Sequence, residues 1–338
     1  MSEYKSINKQ VLTHLNLNAN AGGKAILIGE HSVVYGHKAI SLALPDIRLN
    51  MQICPDKFTE SWEDSWETRI KGNIYQTNKE IQKLLTLAFE KALQLCHPSL
   101  ELKHFSPQKI VIQSEIPLGG GMGGSAAIST CLVKLSIEIA KHKHLLTQEI
   151  SNETQIQFSN DVDCLFHSGK ASGLDVTTVA CDGLIEFSKE NGFKYIKNAK
   201  EFWLALVDTK ERSDTASMVK KVADFLKINP DNGKKYLDNL SKLTDSTLVF
   251  LKEGRLLDIA SNLNCAQLFL EKLGVSTKKI TDLIKTLQSN GALAAKLTGA
   301  GGGGLVLALF EKKPEHLYNI FSEDVLYITK VPVYEEQY

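Results

Sequence analysis

Hydrophobic and polar positions follow two different spacings along this chain. Between Lys79 and Cys96 apolar residues recur at helical spacing, with Leu84, Leu85, Ala88, Phe89, Ala92 and Leu93 on one broad face. Gln108 to Ile116, "QKIVIQSEI", shows the two-residue alternation and β-branched content of a strand. Ala25 to Ile28 reads as a short buried strand. Glu60 to Glu67, "ESWEDSWE", fits either a strand with an inward aromatic face or a surface loop. The apolar run from Ser125 to about Lys143 predicts a buried helix, and Thr147 to Leu165 a more charged one. "GLIEF" and "FWLALVDT" read as strands around a turn at Asn191-Gly192. Helices are then predicted at Ser213–Leu226, Lys235–Glu253, Leu256–Leu273 and Thr277–Asn290. "AAKLTGAGGGGLVLALF" closes this region as strand, glycine turn, strand.

Mixed strands and helices come first, and helices with a few strands follow. That order predicts an α+β chain with two lobes, the break falling near the strand that starts at Phe202. The length of 338 residues also exceeds what one hydrophobic core usually organises. Lys plus Arg and Asp plus Glu both number 39, so no net field draws the chain to nucleic acid or anionic lipid. An acidic substrate must be met by a few placed cations. Six cysteines without a CxxC pair read as reduced thiols rather than disulfides or zinc ligands. The start of the chain has no apolar core of signal-peptide type, and no apolar run reaches about 18 residues. The expected address is the cytoplasm, with no membrane partner.

The chemistry concentrates in glycine. Residues 117–129 read "PLGGGMGGSAAIS", with five glycines in six positions from Gly119 to Gly124. Gly119, Gly121 and Gly124 satisfy GxGxxG, yet a dinucleotide site expects an acidic residue about 20 positions on, where this chain continues as helix. The lysine of a Walker A loop is missing, and no protein-kinase HRD or DFG accompanies the loop. One or two glycines could serve packing alone. Five in six residues point instead to an anion nest, whose N–H groups and following helix start would hold phosphate. Three other segments join it: "GGKAILIGEHSVVYG" with Lys24, Glu30 and His31; "SGKASGLDVTTVACDG" with Asp175; and the second glycine turn at Gly299–Gly304. Singly, each has a plain reading as a surface lysine, an Asx cap or a tight bend.

In this order, from Lys24 to about Leu309, these segments resemble the GHMP kinase superfamily, most closely its mevalonate kinases. Their phosphate loop reads PxxxGLGSSAA, and their first motif is similar to GKxILxGEHxVVYG. "LGVST" followed by "GALAAKLTGAGGGG" is also similar to them. The resemblance implies an α+β GHMP two-lobe fold, with a ribosomal protein S5 domain 2-like N-terminal lobe over 1–198 and a ferredoxin-like C-terminal lobe over 199–338. It implies transfer of the γ-phosphoryl of ATP to the primary 5-hydroxyl of mevalonate, with Mg2+. Asp175 and Lys24 would be catalytic. Pro117, Gly119, Gly120, Gly121, Met122, Gly123, Gly124, Ser125 and Ala126 would bind ATP. Glu30, His31, Thr209, Thr215, Gly301 and Gly302 would meet mevalonate, with Lys210 or Arg212 as further candidates for its carboxylate.

Ser125 would reach Mg2+, together with an acidic residue. The run "HSGKASGLD" is one residue longer than the family's HGxPSGxD, so that residue is Asp163 or, without a gap, Cys164; the hard, oxygen-seeking ion favours Asp163. Gly124 stands where the family has a second serine, and Met122 where it has a leucine. Lys71–Thr77 is a candidate adenine pocket by analogy. Alternatives are a phosphomevalonate or sugar kinase of the same superfamily, a dinucleotide-dependent oxidoreductase, and an inactive binding or regulatory protein. The oligomeric state is open, a homodimer included.

Overall fold

The computed structural model describes residues 17–117, 120–167, 169, 173–181, 183–197, 199–323 and 325–331. Its chain divides into two units that interleave in sequence. One contains residues 47–116 and 125–171 with the N-terminal residues to Gly22, and the other residues 23–46, 117–124 and everything from Ser172 onward.

Strand β1 (Leu17–Ile28) pairs with β2 (Ala39–Phe58), and both run through the two units. Sequence pattern alone does not predict β2 as one strand of 20 residues, because Pro45 and Pro55 interrupt it. The pairing shows why they are tolerated. Ala39 to Leu42 pair with one neighbour and Leu49 to Ile53 with another, so Pro45 falls between the two ladders. Pro55 lies in the register shift between Ile53 and Phe58.

In the first unit β3 (Trp66–Ile70) carries the hairpin strand β4 (Asn73–Tyr75) and runs parallel to β5 (Gln108–Ser114), which pairs antiparallel with Leu49–Ile53 of β2. Helix α1 (Lys79–Cys96) starts at Asn78, whose side chain accepts from the Ile81 N–H. Its buried Phe89 meets the rings of Trp62 and Trp66 edge-on at 5.9 and 6.3 Å. Both tryptophans of "ESWEDSWE" therefore face inward, Trp62 from a short 3-10 turn and Trp66 from β3. Helix α2 (Gly124–His142) is largely buried, and α3 (Asn152–Asp163) is shorter than its pattern suggests because Ser151 caps it.

In the second unit Ala39–Leu42 of β2 pair antiparallel with β6 (Leu184–Ser188), which turns at Asn191-Gly192 into β7 (Gly192–Tyr195). That turn joins β6 to β7 and not to the "FWLALVDT" strand, correcting the sequence reading. The short, half-exposed "GFKY" lacks the apolar run that would advertise a strand. Helix α4 (Leu174–Ala180) precedes β6, and its Leu174 shares a buried cluster with Ile26, Val33, Ala39 and Phe187. The "FWLALVDT" strand, β8 (Trp203–Asp208), belongs to a separate antiparallel sheet with β9 (Ala294–Thr298), β10 (Leu305–Phe310) and β11 (Leu326–Lys330), in the order β11-β8-β10-β9. Four helices accompany it: α5 (Thr215–Ile228), α6 (Pro230–Glu253), α7 (Leu256–Lys272) and α8 (Lys278–Ser289). Helix α6 starts five residues before its apolar pattern does, with Pro230 at its first position, where a missing N–H costs nothing. Among the described residues no helix is long and apolar enough to cross a membrane.

Gly29, immediately after β1, has φ +106°, and a Cβ there would lie 2.6 Å from both the Ala39 Cα and the Lys38 carbonyl oxygen. Gly36 has φ +90° with nothing within 4 Å. Gly36→Ala should therefore lose only the left-handed strain of about 1–2 kcal/mol, while Gly29→Ala adds backbone overpacking for a total of roughly 2–5 kcal/mol. Denaturant unfolding of the two variants checks this; equal losses would refute the crowding assigned to Gly29.

Candidate active site

Asp175 stands in the first turn of α4, which Gly173 enters at φ 80°. Its Oδ1 lies 2.9 Å from Nζ of Lys24 on β1. Lys24 is 2% exposed, whereas the Asp175 side chain keeps 34% of its surface. A buried ammonium needs a partner, and this one has a carboxylate open on its far side. The glycine loop is tied to the same strand: the Lys24 N–H donates to the Met122 carbonyl at 3.0 Å. Gly123, at φ +74°, lies so close that a Cβ there would be 2.8 Å from Lys24 Cγ. Gly121 is also left-handed at φ +84°, so the loop needs glycine conformation at alternate positions.

Met122 and Ala126 are fully buried, so their side chains belong to the core. Pro117, Gly120 and Gly124 complete the described part of the loop; Gly119 lies outside the described residues. The loop feeds directly into the start of α2, a helix of 19 residues. Ser125 Oγ lies 3.0 Å from Nε2 of His167. The same ring nitrogen is 3.5 Å from Oδ2 of buried Asp163. Ser125 and Asp163, both predicted from the sequence, thus gather around one histidine. Cys164 begins the 3-10 turn that follows α3 and is only partly buried.

Ile26 of β1, and Glu30 and His31 just beyond its end, are gripped by alternate residues at the end of β9 and beyond it. Nζ of Lys296 donates to Glu30 Oε1 and, at 2.6 Å, to the Leu297 carbonyl. Thr298 Oγ1 accepts from the Ile26 N–H at 3.0 Å and donates to the Ile26 carbonyl at 2.9 Å. The Ala300 carbonyl accepts from His31 Nε2 at 2.9 Å. Because a carbonyl only accepts, Nε2 carries the proton and Nδ1 is left as an acceptor. Burial pushes the His31 pKa down to about 4, so the ring is neutral near pH 7. His31 also holds φ 61°, a left-handed backbone that its type rarely adopts. Lys296 and Glu30 are 0% and 1% exposed in their side chains. Their burial raises the Glu30 pKa and lowers that of Lys296, while the mutual contact opposes both shifts.

Of the remaining predicted substrate residues, Thr209 is buried and spent on the main chain, its Oγ1 donating to the Gly304 carbonyl at 2.7 Å. Thr215 is exposed at the start of α5. Gly301 and Gly302 form the turn between β9 and β10. The Gly301 carbonyl accepts from Ser213 Oγ at 2.5 Å, and the Gly302 N–H donates to the Val275 carbonyl at 2.7 Å. A Cβ at Gly301 would meet the Val275 carbonyl oxygen at 2.4 Å, and one at Gly302 the Met218 sulfur at 2.6 Å. Close packing therefore accounts for both glycines. The Arg212 guanidinium is engaged with Asp208 through two bonds of 2.8 Å, and Lys210 is exposed. Lys71–Thr77 take in the β3–β4 turn at Lys71-Gly72, strand β4 and the two residues after it, and Ile74 and Tyr75 are exposed.

Sequence reasoning missed Lys296, Thr298 and His167. The only available signal for Lys296 was a lysine inside an otherwise apolar strand. Thr298 and His167 gave none beyond their place in the quoted motifs.

A buried ammonium, an open carboxylate and a glycine nest suit phosphoryl transfer to an alcohol. Comparison with known proteins agrees. Residues 83–183 match the GHMP kinases N terminal domain model, and residues 248–325 the GHMP kinases C terminal model. A mevalonate kinase of Thermococcus onnurineus is 31% identical over 327 residues, covering 87% of this chain and 89% of the relative. The structure of L. major mevalonate kinase in complex with R-mevalonate superposes with a TM-score of 0.75 at 22% identity, covering 96% of this chain and 99% of that one. Streptococcus pneumoniae phosphomevalonate kinase, in complex with phosphomevalonate and AMPPNP, gives a TM-score of 0.67 at 18% identity, covering 93% and 99%. These two structures share the fold. The chain belongs to the GHMP kinases and, within them, to the mevalonate kinase family.

Proposed function

We propose that this chain transfers the γ-phosphoryl group of ATP to the primary 5-hydroxyl of mevalonate, with Asp175 and Lys24 at the reacting atoms. The observation that carries the assignment is the Lys24–Asp175 pair at 2.9 Å, held on the strand to which the glycine loop is bonded. Asp175 keeps its outer face open and takes the hydroxyl proton as the oxygen attacks, a contribution of order 10²–10⁴ in rate. Lys24 offers a fixed positive charge to the phosphoryl oxygens, so it need not reorganise as charge develops. Backbone N–H groups of the loop and of the first turn of α2 bind the phosphates. Glu30 and His31 orient the alcohol, His31 through the acceptor Nδ1 that its bond to Ala300 leaves available.

The donor set also suits Mg2+. Ser125 and Asp163 present hard oxygen atoms around the same His167 nitrogen, and a partly buried thiol at Cys164 does not match that ion. When bound, Mg2+ neutralises phosphate oxygens of ATP. Ser125 and Asp163 are the residues that would hold it.

ADP release measured with Mg·ATP and a panel of mevalonate, phosphomevalonate, galactose and homoserine tests the substrate. Mevalonate should support turnover; no turnover with mevalonate alongside turnover with another alcohol would overturn the assignment. For the metal, Asp163→Ala should raise the Mg2+ concentration giving half-maximal rate by about tenfold or more, with Cys164→Ala near wild type. The reverse ranking would move the ligand to Cys164.

A further inference from the structure

Among the described residues of the second unit, the Lys296–Glu30 pair is a fully enclosed charged contact, with side chains 0% and 1% exposed. Lys296 lies on β9, 266 residues from Glu30 along the chain, and its side chain is fully buried. A purely structural account of such a pair is weak. Buried ion pairs seldom stabilise a fold more than apolar residues of similar volume would. The hydrogen bonding is also lopsided. Glu30 Oε1 takes the lysine, while Glu30 Oε2 is shielded from solvent and finds no hydrogen-bond partner. Buried carboxylate oxygens almost always have a donor, so one left without points to a donor that arrives with a ligand.

The surroundings show how this oxygen is held. Lys296 Nζ is itself anchored by the Leu297 carbonyl, so the ammonium cannot follow the carboxylate if it swings. Two residues on, Thr298 fixes Ile26 of β1, and two further, the Ala300 carbonyl fixes His31. Lys296, Thr298 and Ala300 thus form one rigid edge against which the segment from Ile26 to His31 is set. Of the three, only Lys296 acts on a carboxylate, whose second oxygen is left without a donor.

We propose that Lys296 is a positioning residue for the acceptor alcohol: by holding Glu30 Oε1 it presents Oε2 to a hydroxyl of the bound substrate. This rests on the reading, given above, that Glu30 meets the phosphoryl acceptor. Lys296 Nζ is spent on Glu30 and the Leu297 carbonyl, so in this proposal its effect reaches the substrate through Glu30 and falls on the alcohol. Holding the alcohol is expected to matter equally before and during transfer, which raises KM more than it lowers kcat.

The test compares wild type with Lys296→Met, Lys296→Arg, Glu30→Gln and the double variant Glu30→Gln/Lys296→Met, recording melting temperature and separate KM values for ATP and for the alcohol. Lys296→Met should raise the alcohol KM about tenfold or more and leave the ATP KM unchanged. Lys296→Arg should recover part of that loss. The double variant replaces the pair by neutral groups. It should regain melting temperature while its alcohol KM stays as high as that of Glu30→Gln. Recovery of both stability and wild-type alcohol KM in the double variant would make Lys296 a fold residue only. Equal rises in the two KM values would also overturn the proposal. Should Lys296→Met fail to fold, Lys296→Arg and the double variant carry the same comparison. The KM values are taken on whichever alcohol the wild type phosphorylates, so a wrong substrate assignment and a wrong role for Lys296 give different results.

Discussion

An ammonium with 2% of its surface exposed must be neutralised where it stands, and Asp175 does this for Lys24 at 2.9 Å. Much of the second unit answers that requirement. Lys24 sits on β1, so β1 must be held in register; α4 must bring its first turn to the strand; and the glycine loop must pass close by without a side chain. Leu174 packs with Ile26, Val33 and Ala39, which seats α4 on the strand. The Met122 carbonyl takes the Lys24 N–H, and Gly123 leaves the space that Lys24 Cγ occupies. The pair is first a geometric constraint: Lys24 has no freedom to retreat into water, so its charge stays where the proposed transfer needs it.

The end of β1 is defined from the other sheet of the same unit. Thr298 replaces a strand partner for Ile26 with a single hydroxyl, and the Ala300 carbonyl selects the tautomer of His31. The left-handed backbone at His31 is tolerated because that bond and its burial over-determine it. The segment 208–213 is secured in turn: Thr209 and Ser213 bond to the glycine turn, and Arg212 is clamped to Asp208. This leaves Arg212 committed to the protein's own carboxylate, and it changes the meaning of Gly301 and Gly302. Their value lies in letting Val275 and Met218 approach, which is a packing role compatible with a neighbouring ligand but not evidence of one.

Elements with a complete local signature were legible in the sequence. α1 and α8 carry apolar faces and side-chain caps at Asn78 and Thr277, and their limits follow from them. β2 was not legible as one strand, because its prolines make sense only once its ladders with β5 and β6 are known. Nor was β7, which is too short and exposed to show a pattern. The site divides in the same way. The glycine loop announces itself, since five clustered glycines are costly without a reason, whereas Lys24 and Asp175 read plainly when taken singly and stand out only through the order of the motifs. Lys296 and Thr298 stay silent because their partners lie more than 260 residues away in the chain. The positive φ of His31 leaves no trace in residue type at all.

If the Lys24–Asp175 pair is the reacting centre, Asp175 is the group that accepts the hydroxyl proton. Single-turnover phosphoryl transfer by Asp175→Asn, read beside ATP binding by calorimetry, tests this directly. The amide keeps the shape and the opening toward substrate but cannot take the proton, so transfer should slow by about 10²-fold or more while ATP affinity stays within a few-fold of wild type. Transfer near the wild-type rate would contradict the role given to Asp175 and, with it, the reading of the Lys24–Asp175 pair as the reacting centre.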